Sequence, residues 1–418
     1  SKTSSKAFKD SDKSIPEIAS SLGVDAVVEA SVSCIGGDSV CIQIQLVSAY
    51  PEEKQLWVQE YITDKSQIEN LYHKVTKQIS EEINVMLTPQ EESLLAESKA
   101  VDPDAYDAYL KGKYYWDQLT PEGLQKALEY FNLAIEKDPD WGPPYAGIAE
   151  FWIGMRQMGL APSSVTIPNI YKYLDKATEL DPNSANTIYV NALASIWTGF
   201  DWEKGEMELL KVLEINPSDA YAHAYYGHLL MYPKRGDEAL VYSERSLELD
   251  PLNPLLQGLN AVVLFHTNNY QKALEQAKMV ISVVPGHPLG LDILWASNHE
   301  LGNYEEAIQA MILNLHLDDE SSSRIMNTFK EQGHIAAYQV TVDVIEEGAQ
   351  ENDAIKFRLA HIYTILGNIE KAMDMLDELY EIRGPGLPYM MTESNSLQQL
   401  KAHPRYIELH KKMNLPLE

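Results

Sequence analysis

The stretch Gly236-Asp237-Glu238-Ala239-Leu240-Val241-Tyr242-Ser243-Glu244-Arg245-Ser246-Leu247-Glu248-Leu249-Asp250-Pro251 decides how this chain is read. It holds a small residue after an acidic pair and, twelve positions later, a proline that closes an acidic tetrad. The tetrad recurs as Glu-Lys-Asp-Pro139, Glu-Leu-Asp-Pro182, Glu-Ile-Asn-Pro217 and Ser-Val-Val-Pro285, so that successive prolines are 43, 35, 34 and 34 residues apart. The small residue recurs in Gln-Lys-Ala127, Gln-Lys-Ala273, Glu-Glu-Ala307 and Glu-Lys-Ala372. A period of 34 is that of a two-helix unit repeated along a stack.

Two antiparallel helices in close contact need small side chains where one crosses the other, which accounts for the alanines and for Gly227, Ala261 and Ala360 on the preceding helices. Short turns between the helices favour a residue tolerant of positive φ. Gly236, Gly302 and Gly367 are expected there, with Asn268-Asn269 serving the same purpose. On these residues the chain resembles the tetratricopeptide repeat (TPR) family. The fold expected is mainly α: a right-handed TPR α-solenoid preceded by a small α+β domain. Helix pairs are expected at about 104–139, 144–182, 186–217, 220–251, 254–285, 288–319, 322–350 and 354–384. Three places depart from the register: a longer turn through Leu119-Thr120-Pro121, an insertion around Gly159 to Pro168, and a 322–350 pair without its closing proline.

Residues 14 to 90 carry another pattern. Ser14 to Leu22 has helical spacing, whereas Ala26 to Cys34, Val40 to Ser48 and Gln55 to Tyr61 alternate with period two, with Gly36-Gly37-Asp38 as a hairpin turn. A helix from about Lys65 to Met86 follows, with Ile68, Leu71, Val75, Ile79, Ile83 and Met86 on one stripe. Together with Ser4 to Lys9, Leu22 to Val32, Gln45-Leu46-Val47 and Leu56-Trp57, this order resembles the amino-terminal domain of the TolB protein. That module precedes TPR repeats in bacterial transcriptional regulators and in adenylate and guanylate cyclases. Leu87 to Glu92, Asp104 to Gly112, and the closing stretch from Tyr380 through Leu397, Leu400, His403 to Tyr406 and Met413 to Pro416 are similar to the same proteins. The division expected is a small domain over 1–90, a linker over 91–103, repeats over 104–384 and a helical cap over 385–418. The resemblance implies a further strand and helix before Ser1, and hence a carboxy-terminal fragment whose output domain lies elsewhere.

With 62 acidic against 33 basic residues the formal charge is -29, which repels a phosphate backbone, so direct nucleic-acid binding is not expected. No apolar run is long enough to span a membrane. His299-Glu300 lacks the second histidine of a zinc protease, and neither a Walker loop nor Gly-x-Ser-x-Gly occurs, so neither an enzyme nor a cofactor is expected. The two cysteines, Cys34 and Cys41, flank the hairpin and are read as small strand residues in preference to a bridge. Histidines His228, His266, His299 and His361 recur on first helices and are expected to be spread along a line, without converging on a metal. The same inner faces are expected to carry Tyr106, Trp116, Trp197, Tyr221, Tyr232 and Phe265 as anchors for a partner, with Asp292 and Glu300 adding negative charge. These residues read as a partner-binding groove for a basic or neutral protein or peptide, in a sensor or interaction module of a bacterial regulatory protein. The alternative is a small-molecule-sensing domain controlling a DNA-binding or cyclase output. A third class, an assembly scaffold, predicts self-association.

Overall fold

A computed structural model describes residues 4–5, 8, 11–36, 39–64, 68–82, 101–116, 121–232, 235–347, 353–392 and 397–415. Two compact units divide at Pro144.

The first unit opens with helix α1 (Ile15–Leu22), where Glu17 accepts from the backbone N–H of Ser14 at 2.8 Å, and which stops at Gly23 in the left-handed region. Strands β1 (Ala26–Gly36), β2 (Ser39–Ser48) and β3 (Lys54–Asp64) form an antiparallel sheet in that order, so β1 is an edge. Period-two alternation puts Ile44 and Tyr61 on the face covered by Leu71 and Val75 of helix α2 (Ile68–Glu82). Val28 and Val32, register partners of Leu46 and Ile42 on that face, are exposed. Cys34 stands directly across from Cys41 in the register, and Cys41 is disulfide-bonded, which overturns the preference for two independent small residues. A register shift between Val32 and Cys34 brings these two positions opposite each other. The unit also holds the hairpin of α3 (Pro103–Trp116) and α4 (Pro121–Lys137). Gly112 has no room for a side chain there, since a Cβ would lie 2.5 Å from the Phe131 ring.

The second unit is an array of helix pairs around one continuous core from Ala146 to Leu415. The pairs are α5 (Pro143–Gln157) with α6 (Ser163–Leu180), α7 (Ala185–Ala194) with α8 (Trp202–Ile215), α9 (Ala220–Leu230) with α10 (Gly236–Leu249), and α11 (Pro254–His266) with α12 (Tyr270–Val283). Next come α13 (Pro288–Glu300) with α14 (Tyr304–Asn314), α15 (Asp319–Gln332) with α16 (His334–Glu347), and α17 (Asp353–Ile365) with α18 (Ile369–Glu381). A 3₁₀ turn (Leu387–Met391) and helices α19 (Gln398–Lys401) and α20 (Pro404–Lys412) end the chain. The first helices α9, α11 and α13 stack on one another as well as on their own partners, the arrangement of a TPR-type solenoid.

The residues that set the period have visible roles. The residue before each tetrad proline sits at ψ between 73° and 89° in Asp181, Asn216, Asp250 and Val284, because the proline ring excludes helical ψ and so ends the second helix. Two or three positions on, a new cap starts the next helix. Asp219 accepts from the N–H of Ala222, and Asn253 accepts from those of Leu255 and Leu256. Ala127, Ala239, Ala273, Ala307 and Ala372 are all fully buried. Gly227 explains why, since a Cβ there would stand 2.9 Å from the carbonyl of Ala239 on the facing helix.

Some local expectations are corrected. Gly302, Gly367 and Asn268 do adopt positive φ, but Gly236 is simply the first residue of α10. The stretch from Gly159 to Pro168 is not all loop, because α6 starts at Ser163 and carries Pro168 inside it, at the cost of the N–H that would otherwise meet the Ser164 carbonyl. The pair without a closing proline forms nonetheless, turning at Gly333 with φ of 86°. The turn at Gly37-Asp38, the longer turn at 119–120, Ile83 and Met86 on the long helix, and the stretch 87–100 lie outside the described residues.

Candidate functional site

The chain's own carboxy-terminal segment lies on the inner face of the first helices. Gly384, Pro385 and Gly386 end the last pair, and the uncharged run Leu387-Pro388-Tyr389-Met390-Met391 turns across α9 and α11, with Leu387, Met390 and Met391 buried. The Tyr389 ring stacks on His266 with 5.6 Å between centroids and meets His228 and Tyr232 edge-on. His228 Nε2 faces the Leu259 carbonyl at 2.8 Å, which only accepts, so Nε2 carries the proton and Nδ1 accepts from the Tyr389 hydroxyl at 3.3 Å. The Thr392 hydroxyl donates to the Tyr389 carbonyl at 3.0 Å and accepts from His266 Nδ1 at 2.7 Å. Tyr406 donates to the Met390 carbonyl at 3.0 Å, and the Trp202 indole N–H donates to the Met413 carbonyl at 2.6 Å. The segment is held by named side chains at both its hydroxyls and its backbone.

Burial removes most of the expected anchors from any open groove. Trp197, Tyr232, Phe265, His228 and His361 are buried, and Trp116 is buried in the first unit. Tyr106, also of the first unit, is half-buried against Trp141. Tyr221, His266, Asp292, His299 and Glu300 are half-buried. Tyr221 accepts from Asn253 between two repeats, and Asp292 is paired with Arg358 at 3.2 Å, so its charge is compensated and does not stand free on a rim. Large aromatic side chains on a close-packed stack fill the space between helices, and the remainder of that space is filled by the tail.

The histidines, too, depart from the line expected of them. His228 and His266 converge on Tyr389, and His361 lies close enough to His266 to oppose its protonation. Burial pushes His228 down to about 4, and His266 and His361 to about 3. His299 is held at about 4 by burial and by His334, and its Nδ1 lies 2.9 Å from the Tyr338 hydroxyl. All are neutral imidazoles near neutral pH. Among the described residues no three His, Cys, Asp or Glu side chains gather closely enough to hold a metal ion.

Two features were not singled out from the sequence. Arg156 is 1% exposed, donates to the Ser163 hydroxyl and the Trp197 carbonyl, and is pushed down to about 10 by burial, with Asp353 acting against that loss. Beside Tyr389, the Trp197 indole N–H and the Tyr232 hydroxyl both approach the tyrosine oxygen, yet neither reaches a partner in full hydrogen-bond geometry. A cavity of about 40 Å³ adjoins the tail between Trp295, His361, Tyr389 and Met390, and an open one of about 460 Å³ lies between Met231, Arg235, Leu240, His266 and Asn269. The segment 387–391 was legible only as part of a helical cap over 385–418, and it forms a 3₁₀ turn.

A tetratricopeptide repeat model matches residues 354–384. A stretch of 148 residues, 35% of this chain, is 29% identical to the transcriptional regulator HilA of Salmonella typhimurium and spans 27% of that protein's length. Among solved structures, YrrB, a TPR protein with an unusual peptide-binding site, is 21% identical, covering 46% of this chain and 98% of its own, with a TM-score of 0.29. The human IFIT1 dimer with m7Gppp-AAAA is 16% identical, covering 76% of each chain, with a TM-score of 0.48. The chain therefore carries a tetratricopeptide repeat, and its array is mainly α with a small three-stranded sheet before it.

Proposed function

We propose that this chain is a protein-interaction or sensor module of a bacterial regulatory protein, which takes a peptide or protein segment on the inner face of its helix pairs. The observation that carries the reading is Leu387 to Thr392 seated on that face through His228 and His266. Short-segment recognition needs apolar pockets for side chains together with donors and acceptors for polar groups such as hydroxyls, and this face supplies both. Support for a regulatory setting comes from the partial similarity to HilA and from the resemblance of residues 1–90 to the TolB amino-terminal module of bacterial regulators and cyclases.

The reading is tested by panning a displayed peptide library on the immobilised chain and on its Tyr389→Ala variant. An enriched motif whose binding is lost on adding His266→Ala is expected. No enriched motif on either protein would count against it.

A further inference from the structure

We propose that residues 386–392 are an exchangeable occupant of the inner face, which masks it from an external segment of the same chemistry: an uncharged stretch with a tyrosine followed by apolar residues. This rests on the peptide-binding reading above and adds the partner's chemistry and its control.

Three observations carry it. The occupant is a discrete turn, set off from α18 by Gly384-Pro385-Gly386. Its contacts to the first helices are of the kind one chain makes with a peptide: the Tyr389 hydroxyl to His228 and the Thr392 hydroxyl to His266, with the Tyr389 ring stacked on His266. The fit is also incomplete. The 40 Å³ cavity beside Met390 is bordered by His361, 7% exposed and with its ring against Trp295. Unfilled space beside Met390 forfeits packing contacts, so a segment that fills it competes against a tail that does not.

Exchange conserves most of the contacts, because the same type of segment leaves and enters. What protects the tail is its tether. A segment joined through a short linker acts as a ligand at an effective concentration on the order of millimolar, and an external peptide must overcome that advantage. The intact chain is thus expected to bind a free copy of its own tail poorly, and loosening the tail is expected to reveal the site.

The probe is a fluorescent synthetic peptide of the sequence at 384–392, titrated by anisotropy into the full chain and into its Tyr389→Ala/Met390→Ala variant. At least about tenfold tighter binding to the variant is expected, with the gain removed by adding His266→Ala. Hydrogen exchange on α9, α11 and α13 reports whether the variant keeps its fold. Should it not, Thr392→Ala, which removes the contact to His266 and the bond to the Tyr389 carbonyl, is expected to give a gain of about threefold. The proposal is overturned if the folded variants bind the peptide no better than the parent, or if both lose the protection of α9 and α11 along with the tail. Panning that yields a motif bound equally by parent and Tyr389→Ala chains would leave the peptide-binding reading standing and reject the masking.

Discussion

Asp353, the first residue of α17, accepts from both the backbone N–H and the hydroxyl of Ser163, at 2.9 and 2.6 Å, across 190 positions of sequence. Ser163 opens α6, so the carboxylate lies at the positive end of that helix and near the buried guanidinium of Arg156, which also holds Ser163. One carboxylate thus ties an early helix pair to the last one.

Replacing Asp353 with alanine strands Arg156 without its nearby negative charge and uncaps α6. A loss of about 2–4 kcal/mol is expected, read from the urea midpoint at constant m. An unchanged midpoint would mean that this contact contributes nothing to the array.

Ala239→Trp and Ala307→Trp are each expected to destabilise the array by about 1–3 kcal/mol, because both alanines are fully buried at a helix crossing. Gly227→Ala belongs to the same set, since its Cβ meets a backbone carbonyl that has no rotamer to change. Thermal unfolding of the three variants checks the register, and parent-like midpoints in all of them would reject it.

Acid is expected to weaken the second unit. Burial holds His228 and His361 at about 4 and about 3 against 6.5, so the unfolded chain binds more protons than the folded one below pH 6.5. Their full contribution is present above pH 6.5 and is lost progressively as the pH falls towards 4 and 3. At pH 5 each histidine accounts for a loss of about 2 kcal/mol. Denaturation curves between pH 7.5 and 5 test this, with His228→Gln expected to flatten the slope; an identical slope in parent and variant would remove His228 from the explanation.

The array was legible because its determinants are local and repeated. A proline fixes the backbone before it, an asparagine or aspartate caps the helix after it, and an alanine permits the crossing, all within one repeat. Asn268 at positive φ even shows the substitution expected of a turn without glycine. The site was less legible because its key contacts are remote in sequence. Nothing near Trp197, Tyr232 or His266 announces that Tyr389 and Thr392 will cover them, so side chains suited to anchoring a partner were read as open when they are closed by the tail. The bond at Cys41 was missed for a related reason, since a register shift of one residue decides which positions face each other.

The most direct measurement of the central claim is residue-resolved hydrogen exchange on the intact chain at neutral pH. If the segment occupies the inner face, the amides of Leu387 to Thr392 exchange far more slowly than those of an unstructured peptide, and His228→Ala accelerates them while α13 and α14 stay protected. Free-peptide rates for 387–392 in a chain whose α9 and α11 remain protected would show the inner face to be open, and would contradict the account.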